Sequence, residues 1–460
     1  MPGFEEENDA LVQSFLEHSF FKGWRENIPN WNRLELYMDQ TCNLDCAYCY
    51  LAKYGDRLYP PYLRNPKTIV KNAKMLIDWL VENGFAPSID IFSGEPTIHP
   101  EFYDIVRYIN KAYKNADRRP AAIVVPTNYS FLMSEHLTKK VEDLIHESEI
   151  PIFLSASVDG KYMEQNRPFK THPELDPRGD KFYQKLFEFN KKYGFGFHPM
   201  IYADYIDKWK INFMWFQENF RDYRIPFWSI YLLEVRNPEW RPWQLREFGK
   251  FLKFLVYYTY YDILEESKRK FVNFIYNLRG YNILNVFSIV GRGLGCSIQA
   301  MLYVRLGDLS IVPCHRTSYD QFVLGKFVVD DGKIKGIKAL NPELFLTVFS
   351  LDAKNFPYCE SCPIKHVCSH GCLGAQYEFT GDLFTPFPTL CQLELTKVAS
   401  IVQAMKDIGV YKDIYHLAHP NVQSDLKNIE MILEEMEDET RRDVQPKEGA
   451  TACPSGKPCI

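Results

Sequence analysis

Three cysteines stand close together early in the chain, in Thr41-Cys42-Asn43-Leu44-Asp45-Cys46-Ala47-Tyr48-Cys49-Tyr50, a CxxxCxxC spacing. Three thiolates at this spacing can hold three irons of a cubic iron–sulfur cluster and leave the fourth iron without a protein ligand, open to bind a substrate. A zinc site or three structural thiols are the other readings of the trio taken alone, although structural zinc asks for four closed ligands. A longer set lies further on: Cys359-x2-Cys362-x5-Cys368-x3-Cys372, preceded by Cys296 and Cys314 and followed by Cys391. The remaining pair, Cys453 and Cys459, falls in a polar tail rich in Pro and Gly and reads as loose terminal thiols, with self-modification, delivery of a metal ligand or a redox pair as the other readings.

Loops that carry such groups need rigid elements to hold them. From Leu34 to about residue 234, short β-type runs alternate with runs of helical period, the pattern of a parallel sheet with crossover helices. Strands are predicted at 34–39, 88–92, 121–126, 151–157, 195–202 and 228–233. Between the first two, Ile69, Ala73, Leu76, Ile77 and Leu80 form one stripe of a 3.6-residue period, and Gly84 supplies the stop. A second helix carries Phe102, Ile105, Val106, Ile109 and Tyr113 on one face, and further helical patterns occupy about 134–147, 179–193 and 207–220. Six such units in a row predict an α/β fold, a partial (β/α)6 TIM-type barrel, in which reactive groups sit at the C-terminal ends of the strands.

The predicted organisation is an N-terminal helical segment over 1–33, the barrel over 34–235, a helical bridging region over 236–290, a cysteine-rich domain over 291–400, and C-terminal helices with a disordered tail over 401–460. Most aromatics of the bridging helices, among them Phe248, Phe251, Phe271 and Phe274, are expected in the core. A hairpin is predicted around Asp330, Asp331 and Gly332, and an amphipathic helix near 425–437.

Composition narrows the function. A formal charge of −5 over 460 residues argues against a general binder of phosphate backbones, so nucleic acid is not an expected partner. The start of the chain lacks the basic and apolar segments of a signal peptide, and no apolar run reaches the roughly 20 residues of a membrane span. The expectation is a cytoplasmic protein, where twelve cysteines point to metal ligands rather than disulfides.

The CxxxCxxC motif after the first strand, with Tyr48 before its last cysteine, resembles the radical S-adenosylmethionine (SAM) superfamily. The resemblance implies that Cys42, Cys46 and Cys49 hold a 4Fe-4S cluster whose open iron chelates SAM and cleaves it reductively to a 5′-deoxyadenosyl radical. Ser93-Gly94-Glu95-Pro96, at the end of the second strand, resembles the family's GGEP motif with Ser in place of the first Gly, and would receive the SAM amino group. Thr127-Asn128 after the third strand, and Ser157-Val158-Asp159-Gly160 with Arg167 after the fourth, look like the family's ribose and carboxylate contacts, Ser157 through its hydroxyl and Arg167 through its fork of donors. Asp159 and Glu164 lie near this region by pattern, but no general base can be named.

The seven later cysteines resemble the SPASM extension of that superfamily, which implies two auxiliary 4Fe-4S clusters. By the family's partition Cys296, Cys314 and Cys372 serve the first, and Cys359, Cys362, Cys368 and Cys391 the second. Seven thiolates cannot fill eight iron sites, so one auxiliary iron is expected to take a substrate thiolate, water or another side chain. The resemblance further implies a maturase of ribosomally made precursor peptides that forms a thioether cross-link from a cysteine. Carbon–carbon bonding, epimerisation, or the sulfatase oxidation of the similar anaerobic sulfatase-maturing enzymes are the alternatives. Its implied partners are the precursor peptide and a reductase, flavodoxin or ferredoxin as electron donor. About 33 residues precede the first strand, fewer than a winged-helix leader-binding domain needs, so a separate leader-binding protein is also expected.

Overall fold

A computed structural model describes residues 2–28, 31–170, 178–276, 281–284, 286, 297–352 and 355–444. Parallel strands β1 (Arg33–Tyr37), β2 (Ser88–Phe92), β3 (Ile123–Thr127), β4 (Ile152–Ala156) and β5 (Gly196–Phe197) follow one another in chain order across the sheet. The predicted fifth strand is broken. Pro199 has no N–H to continue the ladder, and the next residue, Met200, donates its N–H to the Asp159 carboxylate at 2.9 Å instead of to a strand. The chain resumes as β6 (Met200–Ile201), which pairs in parallel with β7 (Leu233–Glu234), and a bridge from Phe197 to Ile230 joins the last unit to the rest.

The pleat explains why the crossover helices face the sheet as their periodicity predicts. Ile69, Ala73, Leu76, Ile77 and Leu80 of Pro66–Glu82 are all buried, as are Phe102, Ile105, Val106, Ile109 and Tyr113 of Pro100–Tyr113. Gly84, at φ 67°, ends the first of these helices in the left-handed region that suits glycine. Further helices run over Glu135–Glu147, capped by the Ser134 side chain, and over Asp180–Tyr193 and Trp209–Tyr223.

Periodicity alone does not show how the later region joins the barrel. β8 (Met301–Arg305) pairs in parallel with β1 along its whole length, and β9 (Ser310–Val312), β10 (Gly325–Asp330) and β11 (Lys333–Ala339) extend the same sheet in antiparallel fashion. The β10–β11 turn is the predicted hairpin, with Asp331 and Gly332 both at positive φ, as a two-residue primed turn requires. Trp79 ties this hairpin to the barrel, its ring 5.3 Å from both Phe85 and Phe327. The N-terminal helices cover the same end, with Phe15 against Phe345 and Phe349, and Phe21 stacked on Phe85.

Beyond the barrel, Pro242–Tyr258 packs along Pro388–Asp407. Phe248, Phe251, Phe271 and Phe274 are buried in the core, while Trp243 is exposed. The C-terminal helix spans Pro420–Val444, and the predicted disordered tail with Cys453 and Cys459 lies outside the described residues. Among the described residues no helix is long and apolar enough to cross a membrane.

A half-buried histidine gives this fold an acid-side signature. The His198 ring stacks on Tyr231 at 4.9 Å, and burial pushes its pKa down to about 4. In the unfolded chain the imidazole takes a proton near pH 6.5. Stability from this group is therefore complete above that pH and is lost as pH falls from about 6.5 toward 4. His198→Gln is expected to flatten the fall in unfolding free energy over that window, measured by urea titration at a series of pH values.

Candidate active site

The loop after β1 carries the first trio, and the ends of β2, β3 and β4 gather round it. Asp39 knits the first two: its carboxylate accepts from the Ser93 hydroxyl at 2.9 Å and from the Thr41 N–H at 2.9 Å, with His99 Nε2 at 3.3 Å. Gly94 lies so close to the trio's loop that a Cβ there would stand 2.4 Å from the carbonyl oxygens of Gln40 and Thr41. Only glycine fits. The Glu95 N–H donates to that Thr41 carbonyl at 2.9 Å.

The Glu95 side chain turns into the protein. It accepts from the Thr97 N–H and hydroxyl at 3.1 and 2.6 Å, the Thr127 hydroxyl at 2.7 Å and the Asn128 N–H at 2.6 Å. Burial raises its pKa and these donors oppose the shift. The carboxylate thus clamps the end of β2 to the end of β3. Glu95→Ala leaves these donors unsatisfied and is expected to lower stability by at least about 1.5–3 kcal/mol, read from a denaturant midpoint.

From β3, the Asn128 amide donates to Asn43 Oδ1 at 3.0 Å and lies 3.9 Å from Cys42 Sγ. From β4, Ser157 is half-buried and its N–H donates to the Thr127 carbonyl at 2.8 Å. Asp159, fully buried, accepts from Tyr48 at 2.6 Å and from Arg167 at 2.8 Å. The other Arg167 nitrogen is 4.0 Å from Cys46 Sγ, and the guanidinium carbon is 5.4 Å from the centre of the Tyr48 ring. Behind it, Arg178 donates to the Arg167 carbonyl and pairs with Glu164, both at 2.6 Å. Asp159 and Glu164 therefore orient the two arginines.

The thiols are set for a cation. Burial pushes Cys42 up to about 12 and Cys46 to about 11, so neither ionises without one, and a bound metal releases such protons. The Leu44 N–H, 3.4 Å from Cys42 Sγ, and Arg167 beside Cys46 offer donors to sulfur. Beside the trio opens a cavity of about 330 Å³ whose walls include Tyr48, Tyr50, Lys53, Arg236, Arg316 and Phe379. Arg316 is fixed by Glu378 at 2.9 and 2.5 Å, and its guanidinium carbon is 5.0 Å from the centre of the Tyr50 ring.

Of the later cysteines, Cys359, Cys362, Cys368 and Cys391 line one cavity of about 180 Å³. Burial pushes Cys359 up to about 11 and raises Cys368 as well. Cys314 and Cys372 are not among the residues that line that cavity. Each stands at the start of a short helix, and the two starts meet where Gly374 presses on Arg316. Cys296 lies outside the described residues. Among the described residues no three His, Cys or carboxylate groups converge on a single ion; the thiols surround spaces instead.

Asp39, His99, Arg178 and Arg316 are contributors that the sequence pattern misses. Asp39 alone left a trace, as the acid that ends the predicted first strand beside the cysteine loop.

The comparisons fall on this architecture. Residues 37–160 match the sequence model of the Radical SAM superfamily. An uncharacterized protein of Methanocaldococcus jannaschii is 29% identical over 147 residues, 31% of this chain and 44% of that relative, so the match spans under half of its length. Among solved structures, anSMEcpe with bound AdoMet aligns with TM-score 0.53 and 18% identity, over 86% of this chain and 98% of that one. The same protein with AdoMet and the Cp18Cys peptide aligns with TM-score 0.52 and 19% identity, over 86% and 99% of the two chains. The fold is shared at these identities. The match over 37–160 thus lies on a barrel whose fold is shared with anSMEcpe, and the matched family implies a 4Fe-4S cluster and S-adenosylmethionine.

Proposed function

We propose that this protein is a peptide maturase: it cleaves SAM reductively and modifies a ribosomally made precursor peptide, forming a thioether from a substrate cysteine. The observation that carries the reading is the meeting of four strand ends at the Cys42–Cys49 loop, with a charged and aromatic cavity opening beside it. When bound there, an iron–sulfur cluster with an open iron supplies the electron that splits SAM to a 5′-deoxyadenosyl radical.

The chain's own residues then divide the work. Cys42, Cys46 and Cys49 are the ligands. The backbone of Ser93, Gly94 and Glu95, followed by Pro96, offers acceptors to the SAM ammonium, and Asn128, Ser157 and Arg167 are the candidates for its ribose and carboxylate. Tyr48, tethered to Asp159, fixes the loop between Cys46 and Cys49. Cys359, Cys362, Cys368 and Cys391 are the ligands of one auxiliary cluster, a role supported by the single cavity they line. Cys314, Cys372 and Cys296 are proposed for the other. Thioether formation transfers one hydrogen atom from the peptide to the 5′-deoxyadenosyl radical, giving 5′-deoxyadenosine, releases the thiol proton and gives up one electron, which a one-electron acceptor must take.

The peptide substrate is supported by the fold shared with anSMEcpe, which has been solved with the Cp18Cys peptide. A flavodoxin, ferredoxin or other reductase would supply the electron, and a separate protein would present the leader. Anaerobic reconstitution tests the reading: roughly twelve irons per chain and 5′-deoxyadenosine released with dithionite are expected. Zinc in place of iron, or intact SAM, would overturn it. Mass spectrometry of a cysteine-bearing precursor then separates a cross-linked product from an oxidised side chain.

A further inference from the structure

His370 sits between two proposed ligands, Cys368 and Cys372, and has three features that packing alone does not explain. Its backbone adopts φ 53°, the left-handed region that a side chain with a Cβ rarely occupies. The residue is only 4% exposed, yet neither ring nitrogen has a hydrogen-bond partner. It also lines the same cavity as Cys359, Cys362, Cys368 and Cys391. Buried polar groups are almost always paired, so two orphan nitrogens on a side chain that lines a cavity point to something that fills it. Strain of this kind, held in place by its surroundings, marks functional positions.

The surroundings hold it firmly. The His370 carbonyl accepts from the Gln376 amide at 2.8 Å, and the next carbonyl, of Gly371, accepts from Arg236 at 2.9 Å. Ser369, on the other side, donates to Glu394 at 3.0 Å. The imidazole stacks on Phe356 with ring centres 5.2 Å apart, which sets its plane.

We propose that His370 donates an N–H to a sulfur of the cluster held by these four cysteines and raises that cluster's reduction potential. The proposal rests on the reading of the four-cysteine cavity as a cluster site. Four thiolates satisfy the four irons of a cubane, so no iron remains for the imidazole to ligate. A neutral imidazole keeps one N–H to give. The reduced cluster carries one more negative charge than the oxidised one, so a donor to sulfur stabilises it more and favours its formation. His370 is thus a positioning and tuning residue, not a catalytic one.

The test is a redox titration, followed by electron paramagnetic resonance, of the reconstituted full chain with Cys42, Cys46 and Cys49 replaced by alanine, so that only auxiliary clusters contribute. His370→Phe keeps the ring stacking and removes the N–H; His370→Gln returns a donor. Iron content is measured in every sample. The expected result is unchanged iron, a roughly tenfold lower reduced-to-oxidised ratio at fixed potential in His370→Phe, a shift of about 59 mV for one electron, and a return toward the parent value in His370→Gln. In the parent protein, 15N-histidine labelling is expected to change the hyperfine pattern of the auxiliary signal, a readout that needs no variant to fold. An unchanged potential in iron-loaded His370→Phe, or no effect of the label, overturns the proposal while leaving the cluster site intact. If Cys359→Ala/Cys362→Ala loses no iron, the cluster reading itself fails, and the proposal falls with it.

Discussion

Replacing Cys42, Cys46 and Cys49 together by alanine is expected to reduce 5′-deoxyadenosine formation to background while the protein stays folded. The thiols sit on a loop whose backbone is held independently: the Asp45 and Ala47 N–H groups donate to the carbonyls of Pro168 and Asn166, both at 2.8 Å. The sheet below is tied by β1 pairing with β2 and β8 over five residues on each side. About four of roughly twelve irons should be lost, with the thermal midpoint close to that of the parent. Cys359→Ala/Cys362→Ala should lose a similar share of iron and still cleave SAM, because its cavity is separate from the loop after β1. The comparison isolates the trio. Cleavage that survives in the triple variant would remove the basis of the proposed chemistry.

How much of this was legible beforehand depends on the range of each interaction. The stripe from Ile69 to Leu80 and the turn at Asp331-Gly332 are local, and the sequence pattern locates both closely. The trio and the segments Ser93–Pro96, Asn128, Ser157 and Arg167 were placed by their positions after successive strands, and those strands are adjacent in the sheet. The break at Pro199 was missed because the run 195–202 reads as one apolar strand, although the proline itself carried the signal. The pairing of β8 with β1 joins residues far apart in the chain, so no window of periodicity contains it. The inward turn of Glu95 was equally hidden: a motif says which residue stands at the strand end, whereas its four donors come from Thr97, Thr127 and Asn128.

The same limit of range applies to the charges that join the barrel to the cysteine-rich region, and these give the other large expected effect. Glu234 at the end of β7, Arg236, Glu394 and Lys397 form a buried network. Lys397 Nζ lies 3.1 Å from Glu234 and 2.7 Å from Glu394, and Arg236 lies 3.1 and 3.5 Å from the same two carboxylates. Lys397→Met leaves two buried carboxylates to share one guanidinium. Removing one partner from such a site costs about 3–5 kcal/mol, since the remaining charge has no water to turn to. Adding Glu394→Gln to Lys397→Met should recover part of the loss, because the excess negative charge is then gone. A double variant as unstable as the single one would show that shape, not charge, sets the cost. Burial opposes ionisation of Glu234, yet Lys397 and Arg236 outweigh it and hold the carboxyl below its ordinary value. Its contribution is therefore present above about pH 4.3 and is lost as pH falls below that, a slope that should shrink in Lys397→Met. The consequence reaches the proposed cluster ligands. Arg236 also holds the Gly371 carbonyl at 2.9 Å and Glu394 the Ser369 hydroxyl at 3.0 Å, so the loop between Cys368 and Cys372 takes its position from this network. The single variant should then lose auxiliary iron more readily to a chelator than the parent does, at a temperature where both remain folded.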